Sequence, residues 1–266
     1  MPLLEVRKLS KSFGGLKAVD GVDFTINEGQ ISSIIGPNGA GKTTVFNMLT
    51  GFYTPDSGSI RLSGQELSGL KPYQFIEKGI ARTFQNIRLF SELTVMENVL
   101  IGLQAAMPYG LFDAVFWTRK RNTREKEGID RAERVLELLG LQDRRDELAK
   151  NLPYGKQKRL ETARAVASSP KILLLDEPAA GMNPQETLEL NKLIRDLLET
   201  GITVLLIEHD MKLVMEISHH IVVLDHGVKI AEGKPRDIQN NKKVIQAYLG
   251  KGASMYAGDQ KLEYVL

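Results

Sequence analysis

The chain has 266 residues, 42% of them hydrophobic and 26% charged, with 24 glycines and 10 prolines. That is globular composition, which excludes a disordered, collagen-like or coiled-coil chain, and the length suits one large domain or two small ones with a sizeable core. A net charge of +2 is too balanced for a nucleic-acid binder, and with no cysteine there can be no disulfide, zinc–thiolate site or thiol catalysis.

The N-terminus, Met1-Pro2-Leu3-Leu4-Glu5-Val6-Arg7-Lys8, carries charge where a signal peptide needs its apolar stretch. No segment approaches the roughly 18 uninterrupted apolar residues that cross a bilayer. The sequence reads as a soluble protein that reaches any membrane through a partner. Residues 3–35 read as strands: Val22, Phe24 and Ile26 alternate with Asp23, Thr25 and Asn27, the period of a half-buried strand. Asn27-Glu28-Gly29-Gln30 reads as a turn before a short apolar strand, Ile31 to Ile35. A glycine-rich loop, a helix from Lys42 to Leu49 and a strand over Ser59 to Leu62 follow. From about Glu92 to Ser169 the pattern is mostly helical, with Ala132, Val135, Leu136 and Leu139 at helical spacing and Gly140 as a stop. After Pro170 the chain alternates: strand 171–175, helix 184–199, strand 203–207, helix 211–217, strand 221–224. The 184–199 helix has Asn183 as cap, Pro184 in its first turn, Glu186 three residues after the cap, and one apolar stripe. Such alternation predicts a largely parallel sheet covered on both faces. Residues 251–266 read as a tail.

Gly36-Pro37-Asn38-Gly39-Ala40-Gly41-Lys42-Thr43-Thr44 fits G-x-x-x-x-G-K-[ST] between a strand and a helix. Glycines let backbone N–H groups turn onto phosphates, and the helix N-terminus adds its dipole. Lys42 would neutralise the β- and γ-phosphates and the Thr43 hydroxyl would ligate magnesium. The bland alternative is a glycine-rich turn with a chance lysine. A second signal is Ile172-Leu173-Leu174-Leu175-Asp176-Glu177, an apolar strand bringing two carboxylates to the edge where parallel sheets bind ligands. One could serve magnesium and the other an attacking water; alone, the string would be an ordinary surface turn. Asn191-Lys192-Leu193-Ile194 and Asn241-Lys242-Lys243-Val244 both lack the aspartate of a guanine-reading N-K-x-D, which favours ATP.

With both motifs in place, the chain resembles the nucleotide-binding subunit of an ABC transporter over about residues 3–250. The resemblance implies an α/β P-loop NTPase with a mostly parallel core sheet, an antiparallel β subdomain and an inserted α-helical subdomain at about 88–168. A nucleotide-binding domain would then cover 1–250, followed by the tail, with ATP and Mg2+ as cofactors. By the same resemblance, Phe13 is the adenine-stacking aromatic and Gly36 to Thr44 (Gly36, Pro37, Asn38, Gly39, Ala40, Gly41, Lys42, Thr43, Thr44) hold phosphate. Gln85, in Arg82-Thr83-Phe84-Gln85-Asn86, matches the glutamine loop that senses magnesium and the attacking water. Thr43 and Asp176 match magnesium ligands, Glu177 the catalytic glutamate and His209 the switch histidine. Pro178 to Pro184 match the D-loop. Taken singly, Phe13 reads as core, His209 as structural and Gln85 as uninformative; order and spacing carry the assignment.

Leu152-Pro153-Tyr154-Gly155-Lys156-Gln157 occupies the signature segment, normally Leu-Ser-Gly-Gly-Gln, which in the family reaches across a head-to-tail dimer to the other subunit's γ-phosphate. Pro153 offers neither hydroxyl nor N–H, which leaves the Gly155 N–H and the helix N-terminus, with Lys156 adding charge. The deficit falls on the site built on the partner's phosphate loop, so a heterodimer with a paralogue of fuller signature is expected beside the alternative of a homodimer. Asn183 stands where the D-loop is usually aspartate; plain capping is an equal reading.

The Asp176 to Pro184 string, the Tyr-Gly signature and an insert near Pro108 to Arg131 resemble ATPase subunits of branched-chain amino-acid importers, of the LivG type. That implies two transmembrane permease subunits, an external substrate-binding protein acting indirectly, and a peripheral place on the cytoplasmic face of the inner membrane. Alternatives are a cassette for another cargo such as lipid export, a soluble non-transport ABC ATPase, and a nucleotide-dependent scaffold. The aromatic stretch Met107 to Trp117 reads either as a docking surface for a membrane subunit or as packing within the helical subdomain, and the basic run after it as a solvated face. No nucleic-acid partner is expected. His219, His220 and His226 lack metal-ligand spacing and read as surface or turn residues.

Overall fold

The computed structural model describes residues 1–104 and 119–249. Strands β1 (Pro2–Phe13), β2 (Leu16–Asn27) and β3 (Ile31–Ile35) lead into helix α1 (Lys42–Leu49). Then come β4 (Ser57–Leu62), β5 (Gln65–Glu66), α2 (Pro72–Lys78), β6 (Ile80–Arg82), α3 (Val95–Gln104), α4 (Arg119–Leu138) and α5 (Tyr154–Ala167). The chain continues through β7 (Ile172–Asp176), α6 (Pro184–Glu199), β8 (Thr203–Ile207), α7 (Met211–Ile217), β9 (His220–Asp225), β10 (Val228–Gly233), α8 (Pro235–Gln239) and α9 (Lys242–Leu249). The fold is α/β, with parallel and antiparallel sheet and helices between strands. It divides into two compact units, one formed by Met1–Pro72 and the described residues from Leu174 onward, the other by Tyr73–Leu173.

In the first unit β2, β1, β4 and β5 form an antiparallel sheet in that order, with Val6 opposite Phe24 on one side and Ile60 on the other. The alternation of Val22, Phe24 and Ile26 is the alternation of burial along β2. The second sheet of this unit runs β10-β9-β3-β8-β7. β3 pairs in parallel with β8, Ser33 opposite Leu206, and with β9, Ser33 opposite Ile221. Every residue of β3, β7 and β8 is buried, which is why β7 and β8 are mostly apolar without alternation, whereas β3 carries two buried serines, Ser33 sharing a hydrogen bond with the Ser218 hydroxyl at 2.6 Å. Ile35, Val223, Met211, Val214, Ile238 and Val244 form a core under α7, α8 and α9. β9 and β10 are joined by His226-Gly227, both at positive φ (45° and 80°), the two-residue turn that suits strand twist.

In the second unit β6 lies beside the start of β7, with Gly79 O accepting from the N–H of Lys171 and Ile172. α4 ends at Gly140 (φ 64°), and the Leu141 N–H donates to Leu136 O at 2.8 Å while Leu141 is buried, the glycine-terminated helix end expected from its sequence. α3 passes close to α5 at Gly102, where a Cβ would stand 2.2 Å from Arg164 O. The aromatic stretch Met107 to Trp117 and the tail 251–266 lie outside the described residues. Among the described residues no helix is long and apolar enough to cross a membrane.

Helix α6 starts with a reciprocal cap: Asn183 Oδ1 accepts from Glu186 N–H at 3.0 Å and Glu186 Oε2 accepts from Asn183 N–H at 2.8 Å. Asn183→Ala is expected to lower the unfolding free energy by ~1 kcal/mol, read from the denaturant midpoint, with Asn183→Asp restoring it.

Candidate functional site

The loop between β3 and α1 closes on itself and on its neighbours. Ala40 N–H donates to Pro37 O at 3.1 Å, and Gly227 N–H, from the β9–β10 turn, donates to Ala40 O at 3.1 Å. Two of its glycines are sterically required. A Cβ on Gly36 would lie 2.1 Å from Leu224 O, and one on Gly41 (φ 99°) would lie 2.5 Å from Ala18 O. Gly41 caps α1 without a side chain, which leaves the first turn's N–H groups for an anion.

Lys42 is the first residue of α1 and only 8% exposed. Its Nζ donates to Gly36 O at 2.6 Å and Pro37 O at 3.0 Å. Burial pulls its pKa below the ordinary lysine value, and the charges of Glu177 and Asp176 act against that pull. An open cleft of about 310 Å³ is lined by Leu16, Lys17, Ala18, Asn38, Gly39, Ala40, Gly41, Lys42, Thr43, Thr44, Glu177, His226 and Gly227. Residues from separate parts of the chain thus share one cleft. Thr43 is exposed there, while Asp176, the last residue of β7, is 5% exposed.

Glu177 follows β7 directly and has φ 48°, a left-handed conformation in a residue with a Cβ. Its N–H donates to Ile207 O at 2.9 Å, which extends the ladder toward β8 by one residue. His209 comes two residues after β8, is exposed, and has Nδ1 3.9 Å from Glu177 Oε1. Between them in sequence lies Glu208, 1% exposed, whose Oε1 accepts from Ala179 N–H at 2.8 Å and Oε2 from His209 N–H at 3.1 Å. Burial pushes the Glu208 carboxyl above the usual carboxylate range, and these N–H donors oppose the shift.

Phe13 ends β1, 42% exposed and edge-on to Tyr53 with ring centroids 5.1 Å apart. Leu16, across the hairpin turn from Phe13, lines the cleft, and Phe13 is not among the cleft's lining residues. Gln85 and Gly155 belong to the second unit. There Gln85 is exposed in the loop after β6, and Gly155 lies in the first turn of α5. Pro153 precedes α5 and gives it no side-chain cap. Lys156 Nζ donates to Gly140 O at 3.0 Å, so this lysine serves the end of α4.

The donor set fits a magnesium triphosphate. An ammonium, a row of loop amides, a hydroxyl at Thr43 and a carboxylate at Asp176 suit phosphate oxygens and a cation that keeps much of its water. Among the described residues no group of three or more His, Asp or Glu side chains forms a cage for a metal by itself.

A family model described as ABC transporter matches residues 19–180. The chain belongs to the ABC transporter family. A second model, described as branched-chain amino acid ATP-binding cassette transporter, matches residues 228–254. The chain is 50% identical over 251 residues to the high-affinity branched-chain amino acid transport ATP-binding protein BraF of Pseudomonas aeruginosa, covering 94% of this chain and 98% of the relative. It is equally similar to LivG of Escherichia coli, at the same identity and coverage. A solved ATP-binding cassette of an ABC transporter in its ADP conformation superposes with a TM-score of 0.81 at 32% identity, covering 94% of this chain and all of the other. A dimeric cassette in a post-hydrolysis state, bound to ADP and phosphate, gives a TM-score of 0.74 at 25% identity, covering 88% of this chain and 99% of the other.

Sequence reading missed Glu208, Leu16, Lys17 and the place of His226 in the cleft. A charged residue ending a fully buried run, as Glu208 does, is the one local signal that could have marked any of them. Because the Glu177 charge favours the Lys42 ammonium, Glu177→Gln is expected to lower the Lys42 pKa further, a change to be followed by the 13Cε shift of Lys42 across a pH titration.

Proposed function

We propose that this cassette is the ATP-hydrolysing subunit of a branched-chain amino-acid importer. The carrying observation is that Lys42 and Glu177, distant in sequence, line one cleft at the carboxyl edge of a parallel sheet. The cargo rests on the 50% identity to BraF and LivG and on the family-specific segment at 228–254.

Catalysis here is positioning and charge stabilisation. The loop amides and Lys42 hold the phosphates of ATP, and Phe13 receives the adenine. Thr43 and Asp176 would hold Mg2+, whose chemistry is to neutralise charge on the phosphate oxygens. Glu177 orients and deprotonates the attacking water, and His209 stabilises charge developing on the γ-phosphate. The 3.9 Å between His209 Nδ1 and Glu177 Oε1 keeps the two groups within reach of one small reactant. Two cassettes close head to tail, and each borrows the other's signature, here Gly155 N–H. Two membrane permeases turn that closure into alternating access, an external binding protein delivers the amino acid, and the cassette sits peripherally on the cytoplasmic face.

The signature favours a heterodimer. Pro153 brings neither hydroxyl nor N–H to the partner's phosphate, and Lys156 is engaged by Gly140 O. A lost hydrogen bond to a charged group costs roughly 1.5–3 kcal/mol, so the site completed by this chain's signature is the weaker of the pair. A purified homodimer turning over ATP as fast as the assembly with its paralogue would overturn that assignment.

Glu177→Gln is expected to bind Mg-ATP with near-normal affinity, accumulate as closed dimer on size exclusion, and lose hydrolysis by roughly 100-fold or more. Unchanged turnover would remove Glu177 from the mechanism.

A further inference from the structure

We propose that Glu208 is a positioning residue for hydrolysis: its buried carboxylate laces the segment after Glu177 to the segment carrying His209 and holds the strained Glu177 backbone in place. This rests on the functional reading above. The observations come from two adjacent strands and the turns that leave them. Glu177 and Glu208 each follow directly on a fully buried strand, β7 and β8. The two chains are tied first by the main chain, Glu177 N–H to Ile207 O at 2.9 Å. The Glu208 carboxylate then reaches back across, Oε1 to Ala179 N–H at 2.8 Å, while Oε2 takes His209 N–H at 3.1 Å. Glu177 lies between the two lacings with φ 48°.

A left-handed residue with a Cβ persists where its surroundings over-determine it. Around Glu177 three main-chain constraints do this: its own N–H on Ile207 O, its carbonyl accepting from Ala180 N–H at 3.1 Å, and Ala179 fixed by Glu208. Remove the carboxylate and the half-buried N–H groups of Ala179 and His209 lose their acceptor, as does that of Asp210. The carboxylate of Glu177 and the imidazole of His209 then lose their fixed separation. Lys42 and its loop keep their geometry, because Gly36 O, Pro37 O and Gly227 N–H hold them. Glu208 acts through the main chain of the two segments it joins.

Glutamine keeps the volume of Glu208 but has one acceptor oxygen, and its amide faces an N–H that needs an acceptor. Glu208→Gln therefore breaks one lacing and Glu208→Ala both. On the full chain, calorimetric Mg-ATP affinity is expected to stay within about twofold in both variants while kcat falls roughly 10–100-fold in Glu208→Ala and less in Glu208→Gln. Amide hydrogen exchange is expected to quicken at Ala179 and His209 and to stay slow in β3 and β9. Wild-type kcat in the glutamine variant, or lowered kcat with unchanged exchange at those two amides, would overturn the proposal. Should the alanine variant fail to fold, the glutamine variant alone decides by the same two measurements. A wild-type chain without ATPase activity would instead overturn the functional reading, and the amide exchange would still decide what Glu208 holds.

Discussion

An ammonium group taken out of water must be paid for by fixed partners, and the first unit is organised around that demand at Lys42. The side chain is held by two carbonyls of its own loop, Gly36 O and Pro37 O, and by the charges of Glu177 and Asp176 at the end of β7. Carbonyls so close are possible because Gly36 and Gly41 have no Cβ where Leu224 O and Ala18 O approach. The loop is in turn braced from the β9–β10 turn through Gly227 N–H. Local sequence, tertiary packing and site electrostatics therefore meet in one residue, a cation oriented by fixed carbonyls and mostly desolvated.

What was legible in the sequence follows from how local the determinants are. β7 and β8 are readable because burial on both faces favours long apolar runs, and β3 is readable from the isoleucines that flank its two buried serines. The start of α6 was readable because Asn183 and Glu186 satisfy each other's N–H within one turn. β10 was not, since its residues are half-buried or exposed at a sheet edge. α8 and α9 were not either: they are five and eight residues long and are held by packing onto Ile35, Val223 and Met211, far away in sequence. In the site, Lys42, Thr43 and Asp176 were marked by contiguous motifs, whereas Glu208 bonds to a main-chain N–H 29 residues earlier, and main-chain donors leave no sequence signature. The sequence marks His226 as a surface or turn residue, and it stands in the β9–β10 turn; its place in the phosphate-loop cleft comes from the pairing of β9 beside β3.

The second unit shows the same device as Glu208 in another place. Glu161 of α5 is 2% exposed and its Oε1 accepts from Arg88 N–H at 3.1 Å, so the signature helix carries a buried acceptor for the loop containing Gln85. Asn98 of α3 holds the next stretch, its amide donating to Phe90 O at 3.0 Å and its Oδ1 accepting from Phe90 N–H at 3.0 Å. Irregular loops cannot satisfy their own N–H and C=O groups, so a loop that must keep one shape borrows side chains from the regular elements beside it. Burying a carboxylate for that purpose is costly, and burial raises the Glu161 carboxyl as it does Glu208. The cost is offset where more than one N–H converges on one carboxylate.

The conformation at Glu177 then explains how two neighbouring carboxylates can serve one cation. Successive residues of an extended strand point to opposite faces, so Asp176 and Glu177 in regular β geometry would send one carboxylate toward Lys42 and the other away from it. The charges of both favour the Lys42 ammonium, and the left-handed φ at Glu177 breaks the regular alternation between the two residues. Glycine would adopt that backbone without strain but would bring no carboxylate. The chain keeps the acid, accepts the strain at that one position, and anchors the following residues through Ile207 O and Glu208. Strain, buried acceptor and the Glu177 carboxylate are thus parts of one arrangement, and altering any of them should be felt at the others.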